Sequence, residues 1–368
     1  GQRFCSPPAL VIQDELHLIS GPLGAMVGLY ESVINELCTD TRDGRNIVPK
    51  IVASTATIRR YEQQIRALYA REKVCLFPPP GLAASDSFFA RYKTDSNGHL
   101  EPGNMYVGIN AHESLVTNQT RAFSSLLSGP INLPPDERDP WWTVLAFFNN
   151  LRELGTSLSL FQSRIPEYIK VVHSRKGAPL STIRRIHEVK ELTSRLRRDD
   201  IPVAISSLER GYSKEGADCV DVCLASSIIE VGIDIDRLGV MCVVGQPKTT
   251  SQYIQVTGRV GRRPGHNGLI AVLFGPTKPR DRSHFEKFRS YHDQLYAQVE
   301  PTSLTPFCRP VLERALNAAA VAFVRQLGAQ GDVASPYPVP EQLLSEFVSL
   351  MERRIAIVDS AELATFNK

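Results

Sequence analysis

Apolar positions along the chain follow two periods. Short continuous runs, at Ala9 to Gln13, Ile51 to Ala53, Met105 to Ile109, Thr143 to Phe148, Val189 to Leu192 and Leu269 to Phe274, read as buried strands, and two more lie within Cys219 to Arg263. Between them the period lengthens to that of a helix. Leu23, Met26, Val27, Tyr30, Val33, Ile34 and Leu37 recur at helical spacing behind Pro22, which predicts an amphipathic helix packed on a sheet. Ile58, Tyr61, Ile65 and Leu68 predict another, and further helices are expected at His112 to Leu127, from Leu151, at Ile201 to Arg210, at Val311 to Leu327 and at Glu341 to Ile357. Strands alternating with helices indicate an α/β fold with two mostly parallel sheets covered by helices.

The run Pro78-Pro79-Pro80-Gly81 halts regular structure, since consecutive prolines enforce extended backbone and remove donors. The expected division is a first domain over 1–80, a linker or loop over 81–104, a second domain over 105–276 and a helical extension over 277–368 whose role the pattern does not reveal. Trp141 and Trp142 follow another Pro-rich connection and are expected to anchor it to a core.

Polar clusters sit where the strands end, the place where ligands bind in doubly wound sheets. The first strand empties into Asp14-Glu15-Leu16-His17. Asp14 at such a point suits a Mg²⁺ accompanying a nucleotide, and Glu15 suits the orientation or deprotonation of an attacking water; the alternative is that both cap the next helix. Ser54, Thr55 and Thr57 follow the second strand and are candidates for relaying contacts between nucleotide and a second domain, with Thr57 as a plain N-cap the alternative. Asn149, Ser226 and the set Thr193-Ser194-Arg195 offer phosphate-type donors at later strand ends. Gln255, Arg259 and Arg262 are expected within one helix at i, i+4, i+7, which places them on one face, with Gly258 and Gly261 permitting close approach of another backbone or a phosphate. Two arginines there suit the charge on a transferring phosphoryl group, against the alternative of a basic surface helix.

Composition changes this picture little. With 368 residues, 42% hydrophobic and 22% charged, the chain is an ordinary soluble type with room for two or three domains. The net charge is only +3, yet residues 164–200 hold ten Lys or Arg against five Asp or Glu, a local basicity that points to polyanion contact. Seven cysteines without a CxxC pair argue against a disulfide framework and a zinc site. No apolar run nears the roughly 18 residues of a membrane span, so no membrane partner and a cytoplasmic location are expected.

DELH, STAT, SSIIEVGIDID and QVTGRVGRR occur in that order across two α/β sheets, and this resembles the superfamily 2 helicases and translocases over about Ala9 to Phe274. The phrases IQDELHLISGPLGAMVGLYE and AFFNNLRELG resemble in particular the helicases of DISARM anti-phage systems. The resemblance implies two RecA-like domains, the first incomplete, and ATP-dependent work on nucleic acid, DNA with a single-stranded region, with ATP and Mg²⁺ as cofactors. It implies a DISARM partner protein and a DNA methyltransferase nearby. Asp14 and Glu15 match the pair that binds Mg²⁺ and activates water, and His17 matches the histidine that contacts Gln255. Ser54, Thr55 and Thr57 fall on the coupling element. Gly232 and Asp234 match the motif that touches both nucleotide and nucleic acid, and Arg259 and Arg262 match the arginines that reach the γ-phosphate.

One departure is large. No phosphate-binding loop of the form GxxxxGK followed by Ser or Thr is present, and without it the β and γ phosphates lack their main anchor. The chain alone is therefore expected to bind and hydrolyse ATP poorly, and its opening at Gly1 is read as truncation of a longer protein. Competing expectations are a non-catalytic half-helicase that binds nucleic acid or a partner, and an RNA helicase.

Overall fold

The continuous apolar runs form strands that pair in parallel. A computed structural model describes residues 6–42, 44–55, 59–79, 88–89, 91–101, 103–110, 114–177, 179, 182–213, 219–227, 234–263, 265–301, 304–327, 338 and 340–368. In chain order the elements are strand β1 (Leu10–Gln13), helix α1 (Gly21–Cys38), β2 (Lys50–Ala53), α2 (Tyr61–Tyr69), β3 (Met105–Asn110), α3 (Leu115–Ser128) and α4 (Asp139–Trp142). Next come β4 (Val144–Phe148), α5 (Leu151–Gln162), α6 (Arg164–Arg175), β5 (Val189–Leu192), α7 (Asp200–Glu209), β6 (Val222–Ala225) and β7 (Val240–Val244). The chain ends with α8 (Thr250–Thr257), β8 (Leu269–Phe274), α9 (Pro279–Glu286), α10 (Phe288–Asp293), α11 (Arg309–Leu327), α12 (Glu341–Val358) and α13 (Leu363–Phe366).

Residues 81–298 make one unit around a six-stranded sheet in the order β3-β8-β7-β4-β6-β5, every neighbouring pair parallel. β4, β6 and β7 are buried along their whole length, which is why they read as unbroken apolar runs rather than alternating ones. Their side chains still divide by the two-residue period. Leu145, Phe147, Cys223, Met241 and Val243 face α7 and α8, while Val144, Ala146, Phe148, Leu224 and Cys242 face α3, α5 and α6. Burial pushes the Cys223 thiol up to about 12, so it behaves as a small apolar core residue. Trp142 anchors its connection as expected: the Arg184 guanidinium lies 3.2 Å from the centre of its ring, and Arg184 is itself paired with buried Asp221.

Residues 1–80 and 299–368 make the other unit. Here β1 and β2 pair in parallel, Leu10 with Lys50 through Gln13 with Ala53. The residues from 277 on do not all behave as one extension. α9 and α10 contribute Phe285, Phe288 and Tyr291 to the core of the six-stranded unit. α11 and α12 pack against α1, with Phe307, Ala315, Ala319, Phe323, Phe347 and Met351 closing over Ala25, Leu29 and Val33.

The buried stripe of α1 also differs from the bulky positions named above. Leu23 is 65% exposed and Ile34 44%, while Gly24, Ala25, Gly28, Leu29 and Val33 are buried. Small residues let the chain approach closely: a Cβ on Gly28 would lie 2.8 Å from the Pro306 ring. Among the described residues no helix is long and apolar enough to cross a membrane.

Candidate functional site

Asp14 follows directly on β1, and its carboxylate is built into a small loop. Ser54, at the end of β2, donates its N–H to Gln13 O at 2.9 Å and accepts the Leu16 N–H at 3.0 Å. Its hydroxyl donates to Asp14 Oδ1, which also accepts the Glu15 N–H at 2.8 Å. The Ser54 hydroxyl first, and the Glu15 N–H second, hold the Asp14 carboxyl below the usual carboxylate range, outweighing the small opposing effect of burial. The first two motifs are thus one structure, joined through the parallel register of β1 and β2.

Glu15 adopts φ 52°, ψ 44°, a left-handed backbone uncommon outside glycine, which Arg60 and Ala70 also adopt at the two ends of α2. It starts a single 3₁₀ turn over Leu16–Leu18, and its side chain makes no capping bond, so the simple helix-cap reading does not describe it. Its Oε2 lies 3.3 Å from His17 Nδ1. Burial lowers the His17 pKa against the raising influence of Glu15 and Asp14, which keeps the imidazole neutral at pH 7. Buried Gln64 on α2 donates to Leu16 O at 3.2 Å and Ile19 O at 2.9 Å, fixing the loop from beneath. The pattern of α2 missed Gln64; its signal was a polar residue beside Ile65 on an otherwise apolar side. Two adjacent carboxylates, with both bonds to Asp14 falling on Oδ1, form a hard oxygen donor set that fits Mg²⁺. Thr55 is exposed next to Ser54; Thr57 lies outside the described residues.

The arginines do not share a helix face with Gln255. α8 is capped by Thr249, whose hydroxyl accepts the Gln252 N–H, and it ends at Thr257 with Gly258 as its C-cap. Gly258 and Gly261 break the helix, and Arg259 and Arg262 stand in the turn that follows. Gly261 has φ 70°, and a Cβ there would collide with the Asn104 side chain and the Gly268 backbone. Its N–H donates to Leu238 O at 2.8 Å. Arg262 Nε donates to Gly258 O at 2.7 Å, and Nη1 pairs with Asp234, so the last arginine is oriented by the neighbouring motif. Arg259 is half-buried, its N–H on Val256 O. Gln255 keeps its Nε2 shielded from solvent without a hydrogen-bond partner among the described residues. Gly232 lies outside the described residues.

Parallel register brings the remaining candidates to the carboxyl edge of the six-stranded sheet. Asn149 follows β4 and donates to Val244 O and Gly245 O, tying the ends of β4 and β7 together. Thr193 follows β5; it is buried, and its hydroxyl donates to Glu191 at 2.7 Å while accepting the Arg195 N–H. Ser226 follows β6, is 4% exposed, and donates its N–H to Leu192 O. Ser194 and Arg195 are the outward members of the set.

Residues 137–264 match the helicase conserved C-terminal domain, a stretch that holds β4 to β7, α8 and both arginines. The chain is 41% identical over 326 residues to the DISARM protein DrmA of Bacillus paralicheniformis, across 87% of this chain and 28% of that protein. It is 20% identical over 302 residues to the ATP-dependent helicase HRQ1 of Saccharomyces cerevisiae, across 77% of this chain and 23% of that one. It therefore spans less than a third of the length of these curated relatives. In fold it resembles the DUF1998 helicase MrfA bound to DNA and AMPPNP, with TM-score 0.56, 17% identity, and 94% of this chain over 40% of the other. Mycobacterium smegmatis helicase Lhr bound to ssDNA and AMP-PNP gives TM-score 0.55 at 16% identity, with 92% of this chain over 38% of that one. The expected likeness to helicases is thus met by the match to the helicase C-terminal domain and by a shared fold.

Proposed function

We propose that this chain is the motor segment of an ATP-driven DNA helicase or translocase acting in phage defence. The observation that carries the reading is the carboxylate loop, in which Ser54 holds Asp14 ionised at the end of a parallel strand while Glu15 stands beside it in a strained backbone. The 41% identity to the DISARM protein supports the defence role, and the DNA-bound state of the solved structures of similar fold supports DNA.

In this reading Asp14 and Glu15 hold Mg²⁺, which when bound neutralises charge on the β and γ phosphates. Water attacks the γ-phosphorus, the bond to the ADP oxygen breaks, and Glu15 accepts the proton of the water. Arg262 leaves Asp234 and, with Arg259, takes up the charge on the transferring group. Loss of the γ-phosphate releases both arginines. Ser54 and Thr55 carry the change toward the strand-end donors, and Ser194 and Arg195 grip the nucleic-acid backbone with little base preference. A DISARM partner protein belongs to the same reading, as does a cytoplasmic setting.

ATP turnover of the full-length protein with single-stranded DNA, with RNA and with neither tests this directly. DNA-stimulated turnover is the expected result. A response to RNA alone makes the protein an RNA helicase, and binding without turnover on either makes the chain a non-catalytic module.

A further inference from the structure

The turn that carries Arg259 and Arg262 is fastened from outside its own segment. Asn104 stands just before β3, in the stretch read from sequence as a linker, and its side chain is half-buried. Its Nδ2 donates to Val260 O at 3.2 Å, and its Oδ1 accepts the Gly268 N–H at 2.7 Å. Met105 N–H donates to Gly268 O at 2.8 Å, so the segment 104–105 is laced to Gly268 on both sides of that residue's peptide. Val260 lies between the two arginines. One amide therefore joins the carbonyl between them to the start of β8.

The spacing leaves no slack. Gly261 passes so close to Asn104 Oδ1 and Gly268 that it has no room for a Cβ, and one on Gly268 would be tight, 3.0 Å from Asn104 Oδ1 and 3.2 Å from Gly261 Cα. Each edge of the amide is matched to one backbone group, donor to carbonyl and acceptor to N–H, an arrangement that only an asparagine side chain of this reach supplies here. Val260 itself is buried, which fixes the middle of the turn between Arg259 and Arg262.

We propose that Asn104 is a positioning residue for the arginine pair, setting the turn so that Arg259 and Arg262 meet the γ-phosphate in register. This rests on the function proposed above. An error of about 1 Å in the placement of a catalytic group costs on the order of 10²-fold in rate, and the two hydrogen bonds of one amide tie Val260 O to Gly268 N.

The test uses the full-length protein and follows nucleic-acid-stimulated ATP hydrolysis in Asn104→Ala, Asn104→Asp and Arg262→Ala beside wild type. Asn104→Asp keeps the acceptor for Gly268 and the shape of the side chain while setting an oxygen against Val260 O, so it separates positioning from folding. The expected result is a kcat lowered roughly 10- to 100-fold in both Asn104 variants, with the KM for ATP and the melting temperature of Asn104→Asp close to wild type. Wild-type kcat in Asn104→Asp overturns the inference while a dead Arg262→Ala leaves the proposed function standing. A parallel loss of kcat, KM and melting temperature in both Asn104 variants also overturns it, since that is the signature of a merely structural residue. Full turnover in Arg262→Ala removes the proposed function itself.

Discussion

At the scale of single residues, the chemistry rests on how Asp14 is held. Its two internal hydrogen bonds both favour the ionised form, and Ser54 is the larger cause. A carboxyl group whose pKa is lowered in the fold adds stability that is present above its unfolded value near 3.8 and is lost as pH falls through the folded value. Because Asp14 is exposed, this acts on its readiness to meet a cation more than on stability. Ser54→Ala should move the carboxyl titration of Asp14 upward, toward 3.8, in a carbon-detected NMR titration of the chain; an unmoved titration would mean that the hydroxyl does not set the charge. The DELH residues were readable in sequence because an apolar run emptied into them. Gln64 and Asn104 were not, since each works through a contact distant in the chain and stands in a segment whose local pattern serves another purpose.

At the scale of elements, strands were the most legible parts. β4 and β8 are unbroken apolar runs bounded by polar residues, and burial on both faces demands that composition. Two helices misled for identifiable reasons. The i, i+4, i+7 spacing of Gln255, Arg259 and Arg262 holds only if the helix continues, and Gly258 with Gly261 at φ 70° ends it. In α1 the bulky residues drew attention away from Gly24, Ala25 and Gly28, which make the close approach to the 304–307 segment and α11. α11 and α12 were visible as helices, but an apolar stripe does not name its partner. Two reciprocal links fix α12 to α2: Arg354 Nη2 donates to Leu68 O at 2.8 Å, and Arg66 donates to Ile357 O at 2.8 Å and 3.2 Å. Arg354 is 6% exposed, and burial brings its pKa down to about 10, still charged at neutral pH, with Glu31 opposing the shift. Arg354→Met keeps the length but leaves Leu68 O without its donor and Glu31 without its nearby cation. Urea unfolding should show a loss of about 2–4 kcal/mol, and a loss below about 0.5 kcal/mol would mean that packing alone holds α12.

At the scale of the whole molecule, the candidate residues divide between the two units. The unit built from 1–80 and 299–368 carries the carboxylates, and the unit over 81–298 carries the arginines on a turn held by Asp234, Leu238 and Asn104. The order of motifs along the chain was sufficient to propose roles, since each role needs a particular strand end or turn. What the order could not show is that the last helices return to the first unit, a consequence of long-range packing between α1, α11 and α12. Glu15 and Arg262 are proposed to serve one reaction. The direct measurement is steady-state ATP hydrolysis by the full-length protein on single-stranded DNA, for Glu15→Gln and Arg262→Ala, with DNA binding followed in parallel. A fall in kcat of roughly 10³-fold or more is expected in each with DNA affinity retained; wild-type turnover in either variant would mean that the two residues do not share a reaction.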